Sequence, residues 1–399
     1  MKNFFRKKRI YMDYAAATPL DRRVERAMRP YWSERFGNPG GLHQEGRIAK
    51  EAVVEARTAI AHTLHVRPEE VVFTGSGTEG NSLALIGYMY ALKERSELKG
   101  AHMIVSALEH PSVRDCFSFF EEMGVEVDFI DGDEQGIIRP EQVRKFLRKE
   151  TRLVSVGYVN NEIGTVQPIK EIAREIRAFE KKEDVSIVFH TDASQAPLYF
   201  NCTPEYLGVD LETFDGQKIY GPKGVGCLYK SNKVTLSPIM RGGSQEYGLR
   251  PGTENVPLIV GMKEALIRAA ADYIHESKEI GELQEYFFAL LEKEIPRSIV
   301  NGTRAHRSPS NVNISIPGID NEYLAVALDE HGVAVATKSA CIGHGTGKHS
   351  YVVASLSGDV ERAESAVRFS LGRGVRKRDI DRVVAILKAE VAKIDRLKL

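Results

Sequence analysis

The chain has few cysteines, and the four that it has stand far apart. They are Cys116, Cys202, Cys227 and Cys341 in a sequence of 399 residues. Four cysteines in a chain of this length do not make a disulfide framework, and none has the paired spacing of a zinc site. We therefore predict no bound metal, and we expect a reducing, cytoplasmic setting.

Long hydrophobic runs and an excess of one charge are also missing. No apolar run reaches the ~18 residues of a membrane-spanning helix, and residues 1–9 lack the apolar core of a secretion signal. Lys and Arg number 55 together, as do Asp and Glu. We therefore predict neither a membrane nor a direct nucleic-acid partner, and we interpret the basic stretch at 6–9 as a solvated terminus.

The sequence does contain a regular alternation of two patterns. Segments with helical spacing of apolar residues, such as 49–64, 79–92, 112–122 and 168–179, separate short runs rich in β-branched residues. These runs are at 70–74, 101–106, 125–130, 152–158, 185–190, 211–214 and 226–229. The alternation is typical of an α/β fold with a mainly parallel central sheet.

The later part of the chain predicts a second, smaller unit. A long helical pattern runs from about 256 to 294, and further elements follow it. These are at 311–316, 322–331, 333–336 and in an amphipathic helix from Lys377. We expect a large domain at 17–258 and a small α/β domain made of 1–16 and 259–399.

A lysine and an aspartate stand at the ends of two predicted strands. Lys218 follows the run at 211–214, and Asp192 follows the run at 185–190. A pyridoxal 5′-phosphate (PLP) site needs such a pair, because the amine forms the Schiff base and the carboxylate keeps the pyridine nitrogen protonated. The pair predicts an enzyme that acts on an amino acid.

A glycine-rich loop, GSGTEGN at 75–81, follows the strand predicted at 70–74. Gly77 lets the backbone approach an anion, Thr78 adds a hydroxyl donor, and the next helix offers unpaired N–H groups. The loop also satisfies the G-x-G-x-x-G pattern of a dinucleotide site, which needs an acid at the end of the next strand. The nearest carboxylate there, Glu109, comes late. By itself the loop also fits an ordinary strand–turn–helix.

Nine short motifs occur in a fixed order along the chain. They are 11–19 (YMDYAAATP), 36–39 (FGNP), 109–110 (EH), 160–164 (NNEIG), 190–195 (HTDASQ), 218–224 (KIYGPKG), 250–253 (RPGT), 339–341 (SAC) and 368–372 (RFSLG). With this combination the chain resembles the cysteine desulfurases of the class V aminotransferase group, which have PLP fold type I. The resemblance covers about residues 10–373, and nine ordered motifs make it specific.

The resemblance implies a role for each residue around the cofactor. Lys218 is similar to the Schiff-base lysine and proton shuttle, and Asp192 to the partner of the pyridinium nitrogen. His110 resembles the residue that stacks on the ring face. Asn161 and Gln195 resemble the partners of the ring phenolate oxygen.

The resemblance also implies ligands for the phosphate and for the substrate. Gly77 and Thr78 belong to the phosphate loop, and Thr253 resembles a phosphate ligand supplied across a dimer interface. The protein is then an isologous homodimer. Arg368 and Asn38 resemble the clamp for the substrate carboxylate, to which a planar guanidinium is well suited.

Cys341 distinguishes a desulfurase from a general PLP enzyme. Three glycines follow it within 337–351 and predict a mobile loop, similar to that of the long-loop branch. Lysines and histidines in this segment favour the reactive thiolate. The resemblance implies that L-cysteine becomes L-alanine and that Cys341 holds a persulfide. The sulfur then passes to an acceptor protein for iron–sulfur clusters or tRNA thiolation. We interpret the other three cysteines as buried thiols.

Two residues depart from the family pattern, which usually has Ser and His where this chain has Asp215 and Gln217. A carboxylate beside a phosphate is unfavourable, since two unit charges 4 Å apart repel by about 4 kcal/mol at an effective dielectric of 20. We expect Asp215 to turn away, to hold a proton or to pair with a cation such as Lys223 or Arg250. Gln217, counted among the cofactor ligands, can donate a hydrogen bond but cannot titrate as His does.

Three other functions stay open at this point. The chain could be a selenocysteine lyase or another fold-type-I PLP enzyme for a small amino acid. It could be a weakly active or non-catalytic scaffold relative, as the two departures allow. An NAD-dependent oxidoreductase would rest on the glycine-rich loop alone.

Overall fold

A computed structural model describes residues 9–337 and 349–397 of the chain. The strands are β1 (Ile10–Tyr11), β2 (Val71–Thr74), β3 (His102–Ser106), β4 (Glu126–Ile130), β5 (Thr151–Ser155), β6 (Val188–Asp192), β7 (Leu211–Asp215), β8 (Gly226–Lys230), β9 (Ile299–Val300), β10 (Asn311–Ser315), β11 (Val333–Ala334) and β12 (Ala366–Ser370). The helices are α1 (Arg22–Met28), α2 (Pro30–Ser33), α3 (Gln44–Leu64), α4 (Gly77–Glu94), α5 (Pro111–Glu122), α6 (Pro140–Phe146), α7 (Ile169–Glu183), α8 (Pro204–Leu207), α9 (Val256–Glu294), α10 (Asn321–Glu330), α11 (Tyr351–Ser357), α12 (Val360–Glu364) and α13 (Lys377–Leu397).

The central sheet has seven strands in the order β2-β8-β7-β6-β5-β3-β4. The strand β8 runs antiparallel to both of its neighbours, and the pairs from β7 to β4 are all parallel. The prediction of an α/β fold with a mainly parallel sheet is therefore confirmed. Because β2, β3, β5, β6 and β7 point the same way, their carboxyl ends meet at one edge, where open α/β sheets bind ligands.

The sheet is buried on both faces, which explains why its strands read as continuous apolar runs. Successive residues of β2 point to opposite sides: Val72 packs with the core under α4 and α5, and Phe73 with the core under α3, α7 and α9. Large buried side chains such as Phe117, Ile60 and Ile172 fill these layers. The two layers hold the ligand-binding edge of the sheet in place.

The C-terminal part of the chain forms a separate three-stranded antiparallel sheet in the order β12-β10-β9. The strand β1 pairs in parallel with β11, with Ile10 opposite Val333, so the start of the described chain lies against this part. The boundary predicted at residue 258 falls inside the first turn of α9, a continuous helix of 39 residues. The division into 17–258 and 1–16 with 259–399 stays a prediction.

The structure differs from the sequence expectations mostly at element ends. The strand expected at 185–190 begins only at Val188, because α7 binds the residues before it: Ile187 donates its N–H to Glu180 and accepts a bond from Arg177. The helix α6 and the strand β12 were not predicted as elements. Within the described residues, no helix combines the length and the apolar character needed to cross a membrane.

Candidate active site

A cavity of about 300 Å³ opens at the carboxyl edge of the central sheet. The structure brings nine of the predicted site residues together in its wall. They are Gly77, Thr78, His110, Asn161, Asp192, Gln195, Gln217, Lys218 and Arg368. They come from the ends of different strands and from β12, so the fold assembles them although they are far apart in sequence.

Lys218 is held at the cavity by the N-terminal segment of the chain. It ends a short 3₁₀ turn after β7, and its Nζ donates to the carbonyl oxygens of Ala15 at 2.8 Å and Ala16 at 2.7 Å. Gln195 Nε2 donates to the same Ala15 oxygen at 2.9 Å. The amine predicted to carry the cofactor therefore lies beside one of the predicted ring ligands.

Asp192 ends β6 and is oriented by two donors. Its Oδ1 accepts the backbone N–H of Ser194 at 2.9 Å, and its Oδ2 accepts Nδ2 of Asn81 at 2.8 Å. The carboxylate lines the cavity together with Lys218. An anion fixed in this way suits a protonated ring nitrogen.

His110 caps the N-terminus of α5. Its Nδ1 accepts the backbone N–H of Ser112 at 3.2 Å and lies 2.8 Å from the hydroxyl of the same serine. Because a backbone N–H can only donate, Nδ1 is an acceptor, and the proton of the neutral imidazole is then on Nε2. The ring lies in the cavity wall, where a flat cofactor could stack on it.

The glycine-rich loop forms a close-fitting cradle at the N-terminus of α4. Ser76 caps the helix by accepting the N–H of Glu79 at 3.1 Å. A Cβ at Gly77 would lie 3.0 Å from the Cβ of Asp215 and 3.1 Å from Ser194 Oγ, so a side chain at this position would require these neighbours to shift. The first turn of a helix has N–H groups without intrahelical acceptors, and these suit a phosphate.

Asp215 and Gln217, the two departures from the family pattern, bind each other. The carboxylate of Asp215 is buried and accepts the backbone N–H of Gln217 at 3.1 Å and its Nε2 at 3.2 Å. Among the described residues no ion pair joins Asp215 to Lys223 or Arg250, so the ion pair is not the one of the three expected arrangements that the structure shows. Arg250 instead pairs with Glu79, with its Nε 2.8 Å from Oε1.

Arg368 is a buried guanidinium on β12, with 2% of its surface exposed. It donates to the carbonyl oxygen of Asn161 at 2.7 Å and to Oδ1 of Asp13 at 2.7 Å. Its Nε is buried without a partner among the described residues. A buried donor of this kind in a cavity wall fits an anionic ligand such as a carboxylate.

Cys341 and its predicted mobile loop lie outside the described residues. The chain on either side of 338–348 is anchored at the cavity. Ala336 exchanges two backbone bonds with Arg368, of 3.1 and 2.7 Å. On the other side, the hydroxyl of Tyr351 donates to the carbonyl oxygen of Glu109, a cavity residue.

The other three cysteines, Cys116, Cys202 and Cys227, are buried free thiols. Burial raises the pKa of Cys116 to about 11 and raises the pKa of Cys202 and Cys227 as well. A thiol with a raised pKa forms little thiolate near neutral pH and is a weak nucleophile.

Two predicted ligands lie away from the cavity of their own chain. Asn38 is exposed, and its Oδ1 accepts the N–H of Gly40 at 2.9 Å. Thr253 is exposed on the loop before α9. Neither is among the residues that line the cavity.

Sequence reasoning missed Asn81 as a site residue, and it considered Glu109 as a motif residue and as the acid of a dinucleotide site, not as a residue of this cavity. Asn81 is four residues after Gly77, hence on the same face of α4, and this spacing is the signal that could have indicated it. Glu109 lines the cavity, and its Oε1 accepts the N–H of Gly157 at 2.6 Å. Burial raises the pKa of Glu109 to about 8.

The chain is similar to known proteins of one family. Residues 10–383 match the aminotransferase class-V family. A protein named cysteine desulfurase IscS, from Dictyoglomus turgidum, is 38% identical over 388 residues, which cover 97% of this chain and 96% of that relative.

Two solved structures extend the likeness to three dimensions. A NifS-like protein has a TM-score of 0.88 at 28% identity, covering 96% of this chain and 99% of its own. A structure described as SspA in complex with cysteine has a TM-score of 0.77 at 32% identity, covering 91% and 98%. The fold and the resemblance predicted from the nine motifs are confirmed: the chain belongs to the aminotransferase class-V family, and its cofactor is pyridoxal 5′-phosphate.

Proposed function

We propose that this protein is a cysteine desulfurase, which converts L-cysteine to L-alanine and keeps the sulfur as a persulfide on Cys341. One observation carries the proposal: a single cavity joins Lys218, Asp192 and the phosphate cradle to the buried guanidinium of Arg368. Relatives named cysteine desulfurase match nearly the whole chain. A selenocysteine lyase, another fold-type-I enzyme or a scaffold is therefore not favoured.

The residues of the cavity suit each part of the cofactor. We assign Gly77 and Thr78, with the first-turn N–H groups of α4, to the phosphate. We assign Gln195 and Asn161 to the ring phenolate. We assign Gln217 to the cofactor as well, as a hydrogen-bond donor that does not titrate. When bound, PLP supplies an electron sink that lowers the barrier to removal of the substrate α-proton.

Three residues would orient the cofactor ring and move the substrate proton. Asp192 would hold a proton on the ring nitrogen, His110 would stack on the ring face, and Lys218 would be the covalent anchor of the cofactor. Once substrate is bound, Nζ of Lys218 takes and returns the α-proton. Its two carbonyl acceptors, on Ala15 and Ala16, hold the amine within reach of the cavity.

Arg368 binds the substrate carboxylate in this proposal. Its contacts with Asp13 and the carbonyl of Asn161 fix the plane of the guanidinium. The thiolate of Cys341 attacks the substrate sulfur, and a new S–S bond forms as the C–S bond breaks. The substrate Cβ keeps the electron pair of the broken C–S bond and takes up a proton to give alanine. Cysteine and one thiol therefore yield alanine and one persulfide with no outside oxidant.

The proposal extends to a homodimer. Thr253 and Asn38 lie outside the cavity of their own chain, so they are free to serve the cavity of a partner. Apolar side chains are exposed close to Asn38 in the sequence: Leu42 is 92% exposed, and Leu42 and Val54 line one surface groove. The ring of Tyr247, also exposed, stacks on the guanidinium of Arg57, next to Val54 on α3. Exposed apolar side chains that share a groove, as Leu42 and Val54 do, support a protein interface at this surface.

The loop that carries Thr253 is firmly attached to the large domain. Glu246 is buried and forms a bidentate ion pair with Arg57, with N–O distances of 2.8 and 2.6 Å. Arg250 pairs with Glu79 on α4. The loop can therefore present Thr253 in a fixed position to a partner subunit.

We further propose that the persulfide passes to an acceptor protein for iron–sulfur cluster assembly or tRNA thiolation, in the cytoplasm. The proposal of iron–sulfur cluster assembly rests on the resemblance to IscS proteins. The three described cysteines are free thiols, which suits a reducing compartment.

The test is an absorbance spectrum of the purified protein with and without L-cysteine, followed by mass spectrometry of the peptide that contains Cys341. We expect a yellow protein that releases alanine and gains 32 Da, one sulfur atom, on that peptide. Cys341→Ser should keep the colour and lose the persulfide, and the control Cys116→Ala should keep both. Normal desulfuration by Cys341→Ser would falsify the role of this thiol.

A further inference from the structure

Asn81 connects two groups of the site without lining the cavity itself. Its side chain is completely buried on α4. Its Nδ2 donates to Oδ2 of Asp192 at 2.8 Å and to Oγ of Ser112 at 2.9 Å. One amide group therefore contacts the end of β6 and the first turn of α5 together.

The orientation of the amide follows from its neighbours. If the amide were turned over, Oδ1 would face the carboxylate of Asp192, and two acceptors would then oppose each other. With Nδ2 in that position, Ser112 Oγ accepts from Asn81 and has its own proton available for Nδ1 of His110, 2.8 Å away. The chain of hydrogen bonds then runs from Asp192 through Asn81 and Ser112 to His110.

Asn81 also shares a helix with the phosphate cradle. Gly77 begins α4, and Asn81 follows it by about one turn on the same face. The helix therefore fixes the distance between the group that binds the phosphate and the amide that binds Asp192. A change at Asn81 would loosen the ring end of the site and leave the phosphate end in place.

We propose that Asn81 is a positioning residue for the cofactor ring, which holds the Asp192 carboxylate at the ring nitrogen and, through Ser112, sets the orientation of His110 at the ring face. The inference rests on the proposed function, since it needs PLP in this cavity. It adds to that function a residue that touches neither cofactor nor substrate.

A purely structural role for Asn81 fits the observations less well. Its Oδ1 is buried without a partner among the described residues. A buried amide kept only for stability is expected to satisfy both of its ends, or to be replaced by an apolar side chain of similar size. Asn81 uses only the end that faces Asp192 and Ser112.

The test compares Asn81→Ala and Ser112→Ala with the control Asn301→Ala. Asn301 is equally buried but lies in the C-terminal part, where its Nδ2 bonds Asn313 and Ser315. Loss of a buried amide affects stability in both asparagine variants, and only Asn81→Ala is expected to change the site.

Three measurements separate the roles, and none needs turnover. They are the affinity of the apoprotein for PLP, the pH midpoint of the absorbance change of the bound cofactor, and the side-chain ¹⁵N signals of His110 in the apoprotein. We expect Asn81→Ala to lower the affinity roughly tenfold, as is common for residues that orient ligands, and to shift the midpoint and the His110 signals. Ser112→Ala should shift the His110 signals, and Asn301→Ala should change none of the three.

Two results would overturn the inference. One is an Asn81→Ala protein with wild-type affinity, midpoint and His110 signals. The other is a Ser112→Ala protein with unchanged His110 signals. If Asn81→Ala does not fold, the Ser112→Ala measurement is the one that decides. If the wild-type protein itself takes up no PLP, the proposed function fails first, and the wild-type spectrum shows this before any variant is made.

Discussion

The two walls of the cavity are built in different ways. The wall of the central sheet consists of strand ends and the turns after them, such as Asp192 after β6 and Lys218 after β7. The opposite wall is assembled from distant pieces of the chain, for example Arg368 bonded to Asp13. The first wall follows from local sequence, and the second depends on how the C-terminal part and the N-terminal segment pack together.

This comparison predicts that the largest loss of activity comes from a substitution in the wall of the central sheet. Lys218→Ala removes the covalent anchor and the base together, so we expect desulfuration to fall by more than about a thousandfold. Borohydride treatment followed by mass spectrometry should find a reduced adduct on residue 218 in the wild-type protein and in the control Lys223→Ala. An adduct elsewhere in the wild-type protein would assign the anchor to another lysine.

A second test addresses Glu109, a cavity residue that binds Gly157 through its side chain and Tyr351, of the C-terminal part, through its carbonyl oxygen. Burial raises its pKa to about 8, above its usual value of 4.5, so the folded protein binds a proton that the unfolded chain releases. The stability that this proton provides is present below about pH 4.5 and is lost as the pH rises to 8. We expect Glu109→Gln to remove this decline, which is on the order of a few kcal/mol.

The measurement for Glu109 is urea unfolding of the apoprotein at several values between pH 5 and pH 8. The difference between variant and wild type isolates this carboxyl from other titrating groups. Glu150→Gln, at an exposed position, is the control and should show the wild-type slope. A slope unchanged by Glu109→Gln would mean that this carboxyl is ionised in the folded protein.

A third test addresses the opposite wall. Arg368→Lys keeps the charge but loses the planar fork that bonds Asp13 and Asn161, so we expect the KM for cysteine to rise by about tenfold to a hundredfold. The yellow colour should stay, because no predicted cofactor ligand is removed. Steady-state kinetics checks this, with the exposed Arg297→Lys as the control. A loss of PLP at an unchanged KM would place Arg368 on the cofactor instead.

The smallest effect is expected at Asp215, where the sheet wall departs from the family pattern. Asp215→Ser removes a carboxylate beside the phosphate cradle, and we expect the apoprotein to bind PLP about tenfold more tightly. Titration of the apoprotein with PLP measures this, and Asp131→Ser, at an exposed position, is the control. Weaker binding by Asp215→Ser would show that the bond between Asp215 and Gln217 supports the cradle.

The sequence located residues of both walls, and those of the sheet wall have the clearest local pattern. Lys218, Asp192 and Gly77 stand at strand ends or in a glycine loop, and such positions can be recognised locally. Three arrangements were open for Asp215, and one of them, an ion pair with Arg250, does not form because Glu79, on α4, binds that arginine. Which of two cations or carboxylates pair depends on packing, and a single sequence does not contain that information.

Contacts made by backbone atoms could not be predicted from the sequence either. The acceptors of Lys218 are carbonyl oxygens of two alanines, and an alanine carries no side-chain signal of such a role. Asn81 was missed for a related reason, since a single asparagine in a helix has many possible partners. Both contacts join residues more than a hundred positions apart.

The place of Ala15 in the structure has a practical consequence for anyone who shortens or tags this protein. A deletion of the first seventeen residues would remove none of the residues assigned to the cofactor or the substrate. It would nevertheless take away two carbonyl oxygens that accept from Lys218 and the Asp13 carboxylate that binds Arg368. The strand β1 fastens this stretch to β11, so a fusion that disturbs residues 10 and 11 would also reach the reactive lysine. We therefore expect residues 10–17 to tolerate little alteration.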